Sequence, residues 1–210
     1  MRRVALPLLL LLATAAQAST TTAPPVPAGQ YKVDKAHTSL LFRVSHLGFS
    51  SFTARFTSID VGLQFDPNRL TSSRVDVTVD PASITSDNAP NGFLDMLRSK
   101  QWLDTAAFPE MTFRSKSIEQ LDANNLRVHG ELTLHGVTKP VTLEARYNGG
   151  YAGHPMDPHA RVGFSARGKF KRSDFGVDIG IPAPGSTMGV GDEVEVVFES
   201  ELSGPPLAKN

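Results

Sequence analysis

No cysteine occurs in the chain. The fold has no disulfide to rely on and must hold by packing alone. An apolar leader with no cysteine after it also excludes attachment through a lipidated thiol. Basic residues are not in excess, since 21 Lys and Arg face 21 Asp and Glu. That balance leaves no electrostatic footprint for a nucleic acid. Beyond residue 18, no apolar run is long enough to cross a bilayer.

The usual catalytic patterns are missing too. No serine elbow is present; Gly163-Phe164-Ser165-Ala166-Arg167-Gly168 misses that spacing by one residue. There is no phosphate loop and no dinucleotide fingerprint. Asp174-Phe175-Gly176 spells the metal-binding triplet of protein kinases, but no other kinase element accompanies it, so the match is coincidental. The histidines do not form a metal set. His37 and His46 are an odd number of residues apart on one strand and so point to opposite faces. His129 and His135 share the solvent face of their strand. His154, Asp157 and His159 crowd a proline-rich loop, which makes a poor closed site. Without paired carboxylates or a nucleophile–base set, neither an enzyme nor a required cofactor or metal is expected.

What is present begins with targeting. Arg2 and Arg3 precede an apolar run from Val4 to Ala13, and Ala16-Gln17-Ala18 forms a small-x-small cleavage site. Residues 1–18 are therefore expected to be a cleavable signal peptide, with a periplasmic protein starting at Ser19. Losing the two arginines makes the remainder slightly acidic. Residues 19–29, rich in Thr, Pro and Ala, read as a flexible linker. Residues 30–203 read as one domain and 204–210 as a C-terminal tail. The apolar share of 40% and the charged share of 20% are ordinary for a globular chain. A chain of this size can bury a full core or enclose a cavity.

The stretch Val33 to Phe65 organises the domain. Leu40, Phe42, Val44 and His46 alternate with Leu41, Arg43, Ser45 and Leu47. After Gly48 the alternation resumes at Phe52, Ala54 and Phe56. Period-2 alternation across a glycine reads as two antiparallel strands or one sharply bent strand. Val75, Val77 and Val79 form a strand stopped by Pro81. Asp87-Asn88-Ala89-Pro90 reads as the start of a helix that carries Phe93, Leu94 and Leu97 on one face, with Trp102 in a turn beyond it. Strands then follow at Met111–Ile118, Leu126–Leu134, Val137–Tyr147, Val162–Phe170 and Val194–Phe198. A loop is expected to begin at Asn148-Gly149-Gly150. About eight alternating strands with one solvated face predict an all-β protein with a short helical insert. An eight-stranded antiparallel β-barrel is the expected architecture, with a two-sheet sandwich as the alternative.

An inward row of large aromatics that ends in a histidine suggests a lined cavity with a polar end. Phe42, Phe52, Phe56, Trp102, Phe113, Phe164 and Phe170 fall on inward positions. Each could equally be plain core. The small inward residues Ala54, Gly130, Ala166 and Gly168 suggest open volume between them.

These segments carry a family resemblance. The relevant runs are Asp34-Lys35-Ala36-His37-Thr38-Ser39, Phe42-x-Val44-x-His46-Leu47-Gly48, Leu97-Arg98-Ser99 before Trp102-Leu103-Asp104, and Phe108-Pro109-x-Met111-Thr112-Phe113. The most specific is Gly130 to Val141 (GELTLHGVTKPV), followed by Lys171-Arg172-Ser173-Asp174-Phe175-Gly176 and Val190 to Val194. The chain resembles the YceI-like polyisoprenoid-binding proteins, exported bacterial proteins with a lipocalin-like barrel. The resemblance implies a long apolar pocket that takes an isoprenoid chain and is closed at one end by the helical insert. Two departures stand out. Ala54 replaces a frequent glycine, and Phe93-Leu94-Asp95-Met96 replaces a charged run. The more apolar insert would suit a less polar head, such as a quinone.

The expected function is binding, storage or transport of an isoprenoid lipid, either a polyprenyl phosphate or a quinone-like molecule. An interaction protein that uses the barrel as a scaffold and an enzyme acting on such a lipid are the alternatives. Phe42, Val44, His46, Phe52, Phe56, Leu94, Leu97, Trp102, Phe113, Leu132, Leu134, Phe164 and Phe170 are the expected ligand contacts. His46, Arg43 and Asn88 are candidates to meet its head. A homodimer is left open as a further partner.

Overall fold

The computed structural model describes residues 26–207. The signal segment, most of the expected linker and the last three residues lie outside that range. In chain order the strands are β1 Gly29–His46, β2 Ser50–Phe56, β3 Ile59–Phe65, β4 Arg74–Val79 and β5 Ile84–Thr85. Helix α1 spans Phe93–Arg98. Then come β6 Met111–Gln120, β7 Asn125–Leu134, β8 Val137–Tyr151, β9 His159–Lys171 and β10 Val190–Pro206. No helix among the described residues is long and apolar enough to cross a membrane.

One antiparallel sheet runs β10-β9-β8-β7-β6-β4-β3-β1-β2-β5 and closes through β10–β1 pairing. β2 and β3 act as one interrupted strand. β2 pairs the C-terminal half of β1 from Leu40↔Phe56 to His46↔Ser50, while β3 pairs Gly29 to Lys32. The wall therefore has eight strand positions and is a closed β-barrel, not a sandwich. The glycine break resolves as a true hairpin, with Leu47 (φ 55°) and Gly48 (φ 71°) in the left-handed region.

Local chemistry moves several expected boundaries. β8 does not stop at Asn148 but continues to Tyr151, because Gly149 at φ 114° absorbs a register shift against β9. β10 reaches Pro206, so Gly204 to Pro206 belong to the sheet, and Gly29 belongs to β1. The helix starts at Phe93, several residues after the expected cap. Gly92 at φ 76° precedes it, and the Phe93 N–H donates to the Pro90 carbonyl at 3.0 Å. His135 and Gly136 lie between the paired residues Leu134 and Val137, both with positive φ, as a two-residue type I′ hairpin requires. That turn removes His135 from the solvent face expected for it. Its ring lies edge-on to Phe108, with centroids 4.7 Å apart.

The barrel end where β1 begins is packed solid. Tyr31 and Phe65 are fully buried edge to face, and Phe65 also meets Tyr147 and Phe164 at 5.5 and 5.8 Å. The Tyr31 hydroxyl donates to the Pro27 carbonyl at 2.7 Å. Burial, with a smaller contribution from Tyr147, pushes its pKa up to about 12. Glycines on the inward rows do not leave empty space here. A Cβ on Gly130 would overlap the Phe113 ring, and one on Gly168 would overlap Leu143. The expectation of open volume at Gly130 and Gly168 is thus corrected: a neighbouring strand's side chain fills each gap.

A charged cluster staples the closure. Asp34 of β1 accepts from Arg161 of β9 and lies 3.0 Å from His37 Nδ1. Arg161 Nε also donates to Asp157 at 2.5 Å, and the Tyr151 hydroxyl donates to the same carboxylate at 2.6 Å. Among the described residues, Asp34, His37 and Glu201 alone bring three such ligand atoms together. The Arg161 guanidinium occupies that group, so its geometry is that of an ion-pair network. His154 and His159 do not converge; His154 pairs with Asp157 through the backbone.

This packing can be tested at two points. The guanidinium of Arg161, aided by His37, holds the Asp34 carboxyl down to about 2. A depressed folded-state pKa stabilises above the unfolded value near 4 and is lost as pH falls through the folded one. Between about pH 4 and pH 2 the urea midpoint should fall steeply, and in Asp34→Asn that slope should flatten. An unchanged slope in the variant would remove Asp34 from the staple. Separately, Gly130→Ala should lower stability by about 1–3 kcal/mol through overpacking against Phe113, measured by urea unfolding.

Candidate functional site

The other end of the barrel is hollow. A cavity of about 480 Å³ opens there, within the range of small-molecule sites. The wall combines inward residues of β1, β2, β4, β6, β7, β8, β9 and β10, and α1 with Trp102 and Leu103 lies across it. A second void of about 90 Å³ lies further in and shares Val77, Phe113, Leu143, Ala166 and Phe198 with the first. The interior is thus graded from an open apolar chamber, through a small void, to the packed aromatic floor.

Period-2 alternation places the wall. From β1 come Leu40, Phe42, Val44 and His46; from β2 come Phe52 and Phe56. Phe42 stacks on Phe56 at 5.6 Å and meets Phe52 edge-on at 6.2 Å. Phe113, Leu132, Leu134 and Phe170 line it from β6, β7 and β9, and Leu97 and Trp102 from the insert. Eleven of the thirteen expected contacts therefore line one cavity.

Two do not. Leu94 packs against the hydrophobic core beside the cavity. The helix face turned to the cavity is Phe93, Met96 and Leu97, a spacing of i, i+3, i+4. Phe164 shares the inward face of β9 but lies towards the floor, where it lines the smaller void and packs against Tyr147 at 5.3 Å. Of the head-group candidates only His46 lies on the cavity, at its exposed rim opposite Ser50 and Val190. Arg43 is on the outer face, 3.9 Å from Glu195, and Asn88 is exposed away from the cavity.

The insert is held in place by Arg98. Its Nε and Nη2 donate to the carbonyls of Ala82 and Ile84, both at 2.9 Å, tying α1 to the β4–β5 turn. Phe93 meets Phe52 edge-on at 5.3 Å, so the lid also rests on β2. Met96, 39% exposed, is the most exposed lid side chain on the cavity.

Sequence pattern gives no sign of one wall group. Arg172 lies in the charged run that ends β9 and reads as surface, yet it is only 5% exposed. A 3-10 turn at Arg172–Phe175 swings it inward. Its guanidinium carbon is 5.6 Å from the Trp102 ring centroid, within cation–π range. Burial pulls its pKa down. With His46, Ser50 and Thr112 it supplies the polar side chains of the wall, and no carboxylate lines the cavity. Nothing in this arrangement pairs a nucleophile with a base. What it offers is an apolar volume with a few donors near its mouth.

Comparison with known proteins agrees with this geometry. The model of the YceI-like domain matches residues 31–202. The chain is 39% identical over 154 residues to Protein YceI of Escherichia coli O17:K52:H18, covering 71% of this chain and 77% of that protein. Against Protein YceI of Salmonella arizonae the identity is 37% over 180 residues, covering 83% and 86%. Among solved structures, Burkholderia cenocepacia BcnA is similar at TM-score 0.68 and 25% identity, covering 80% of this chain and 98% of that one. Campylobacter jejuni YceI is similar at 0.65 and 30%, covering 82% and 96%. A polyisoprenoid-binding domain from Saccharophagus degradans, described as implicated in plant cell wall breakdown, shares the fold at 0.58 and 16%, covering 85% and 100%. With a matching domain model over almost the whole barrel and relatives of this identity, the chain belongs to the YceI-like family.

Proposed function

We propose that the protein binds an isoprenoid lipid, buries its tail in the barrel cavity and carries or stores it in an aqueous compartment. The observation that carries this reading is an open apolar cavity inside a barrel wall that β10–β1 pairing closes. An isoprenoid tail gains about 25 cal/mol for each Å² of apolar surface removed from water. The polyisoprenoid binding named for the Saccharophagus domain supports the same chemistry. Ten of the eleven cavity-lining residues would contact the tail, and the rim around the eleventh, His46, and Ser50 would face the head. Export through the 1–18 segment belongs to this proposal, because a periplasmic carrier would spare the tail the water between membranes.

Native mass spectrometry of the protein purified from its own cells, with no lipid added, tests the reading. The expected result is a co-purifying mass that fragments as an isoprenoid. A barrel that is always empty would favour the scaffold reading, and conversion of the bound lipid on incubation would favour an enzyme.

The lid supplies a second test. Leu97 is buried in the core as well as facing the cavity, so replacing it would confound stability with binding. Met96 avoids that problem. Met96→Asp should shift the melting temperature by less than about 2 °C, as surface changes do. Placing a charge against the apolar chamber should nonetheless weaken lipid retention by about tenfold or more. Retention equal to the parent protein would mean that the lid does not touch the ligand.

A further inference from the structure

Arg172 is a buried cation on the wall of an otherwise apolar chamber. Four of its five N–H groups are spent on carbonyls. Nε donates to Gly191 at 2.9 Å, Nη1 to Val177 and Ile179 at 2.8 and 2.9 Å, and Nη2 to Val190 at 2.9 Å. These acceptors come from both ends of the loop between β9 and β10, so the side chain clamps the base of that loop. Its second Nη2 hydrogen has no acceptor among the described residues. Four carbonyls supply dipoles but no compensating charge. The carboxylates bearing on it are Asp192 and Asp178. Asp192 is engaged by the Ser173 N–H at 3.0 Å and the Ser173 hydroxyl at 2.9 Å. Asp178 is exposed to solvent.

The surroundings give this charge a direction. Val190, whose carbonyl accepts from Arg172, pairs across the ladder with His46 at the rim. The cation is therefore close to where a head group would stop while its tail fills the chamber. Every polar side chain on the wall can donate a hydrogen bond, and none is a carboxylate. In a low-dielectric cavity such a wall favours an oxygen that brings negative charge with it.

We propose that Arg172 is a specificity-determining residue that selects isoprenoid lipids with an anionic oxygen head, the prenyl phosphates, over their neutral alcohols. This rests on the isoprenoid-binding reading and goes beyond it by naming the head. The apolar insert, which alone would suit a quinone, would contact the tail; the charge that reads the head comes from the 3-10 turn after β9.

Farnesyl phosphate and farnesol share one tail and differ only in the phosphate, so their affinities for the full exported chain isolate this effect. Titration calorimetry should show the phosphate binding at least about tenfold tighter, the worth of one charge-assisted hydrogen bond. Arg172→Met should bring that ratio close to one, and Arg172→Lys should give an intermediate ratio. His46→Phe should weaken both ligands alike and keep the ratio. Equal binding of the two lipids by the unaltered protein overturns the inference even if no Arg172 variant folds. A ratio that survives Arg172→Met, or collapses in His46→Phe, also overturns it, as does inorganic phosphate competing as well as the lipid. If neither lipid binds, the isoprenoid reading fails, and this inference with it.

Discussion

Everything in the molecule depends on the β1–β10 ladder. Pairing from Lys32↔Ser203 to His46↔Val190 closes the sheet on itself. A closed sheet satisfies its backbone groups within the wall, so the interior is released from that task. An open sheet of this composition would have to cover its apolar face with other elements or collapse onto itself. Closure lets the chain keep about 480 Å³ unfilled at one end. The unfilled end forgoes dispersion contacts that a packed core would make, and the wall must make good that loss elsewhere.

It does so at the floor. Tyr31, Phe65 and Phe164 interlock there, and Gly204 gives the Tyr31 ring its place, since any Cβ would overlap it. The Asp34–Arg161–Asp157 network binds β1 to β9 at the same end. The irregularity of β1 between Val33 and Thr38 falls where this staple sits. Stability is thus concentrated at one end and access at the other. The gradient suits a binder, because ligand entry then disturbs only a short lid and a loop, not the shell.

Alternation makes much of this legible in the residues themselves. The rows of β1 and β7 follow from period-2 patterning alone, which reports which face a side chain takes but leaves the break at Gly48 open between a hairpin and a sharp bend. It does not report height along the barrel, and that is why Phe164 belongs to the floor although it shares a face with Phe170. Nor does it report what crosses from the next strand, so Gly130 and Gly168 read as gaps when Phe113 and Leu143 fill them. The helix is displaced for a related reason. Asn88 and Pro90 have the residue types of a helix start, but Gly92 takes the left-handed conformation from which the turn at Phe93 begins. That start rotates Leu94 off the cavity face and Met96 onto it.

Arg172 escapes the pattern for a different reason. A Lys-Arg-Ser-Asp run has the composition of a solvated turn, and only its backbone path turns one member inward. A buried guanidinium without a close carboxylate is costly unless its donors are met. Here four carbonyls from the two ends of one loop meet them, and the Trp102 face covers the plane. The same bonds that make the charge tolerable also fix the loop beside the cavity mouth and join it to the insert across Trp102. A neutral side chain of equal volume could pack there, but it could not hold two loop ends to a common point. The charge left over after that structural work is what the cavity presents to its ligand. If the barrel binds an isoprenoid lipid as proposed, shaping the mouth and reading the head group fall to one side chain.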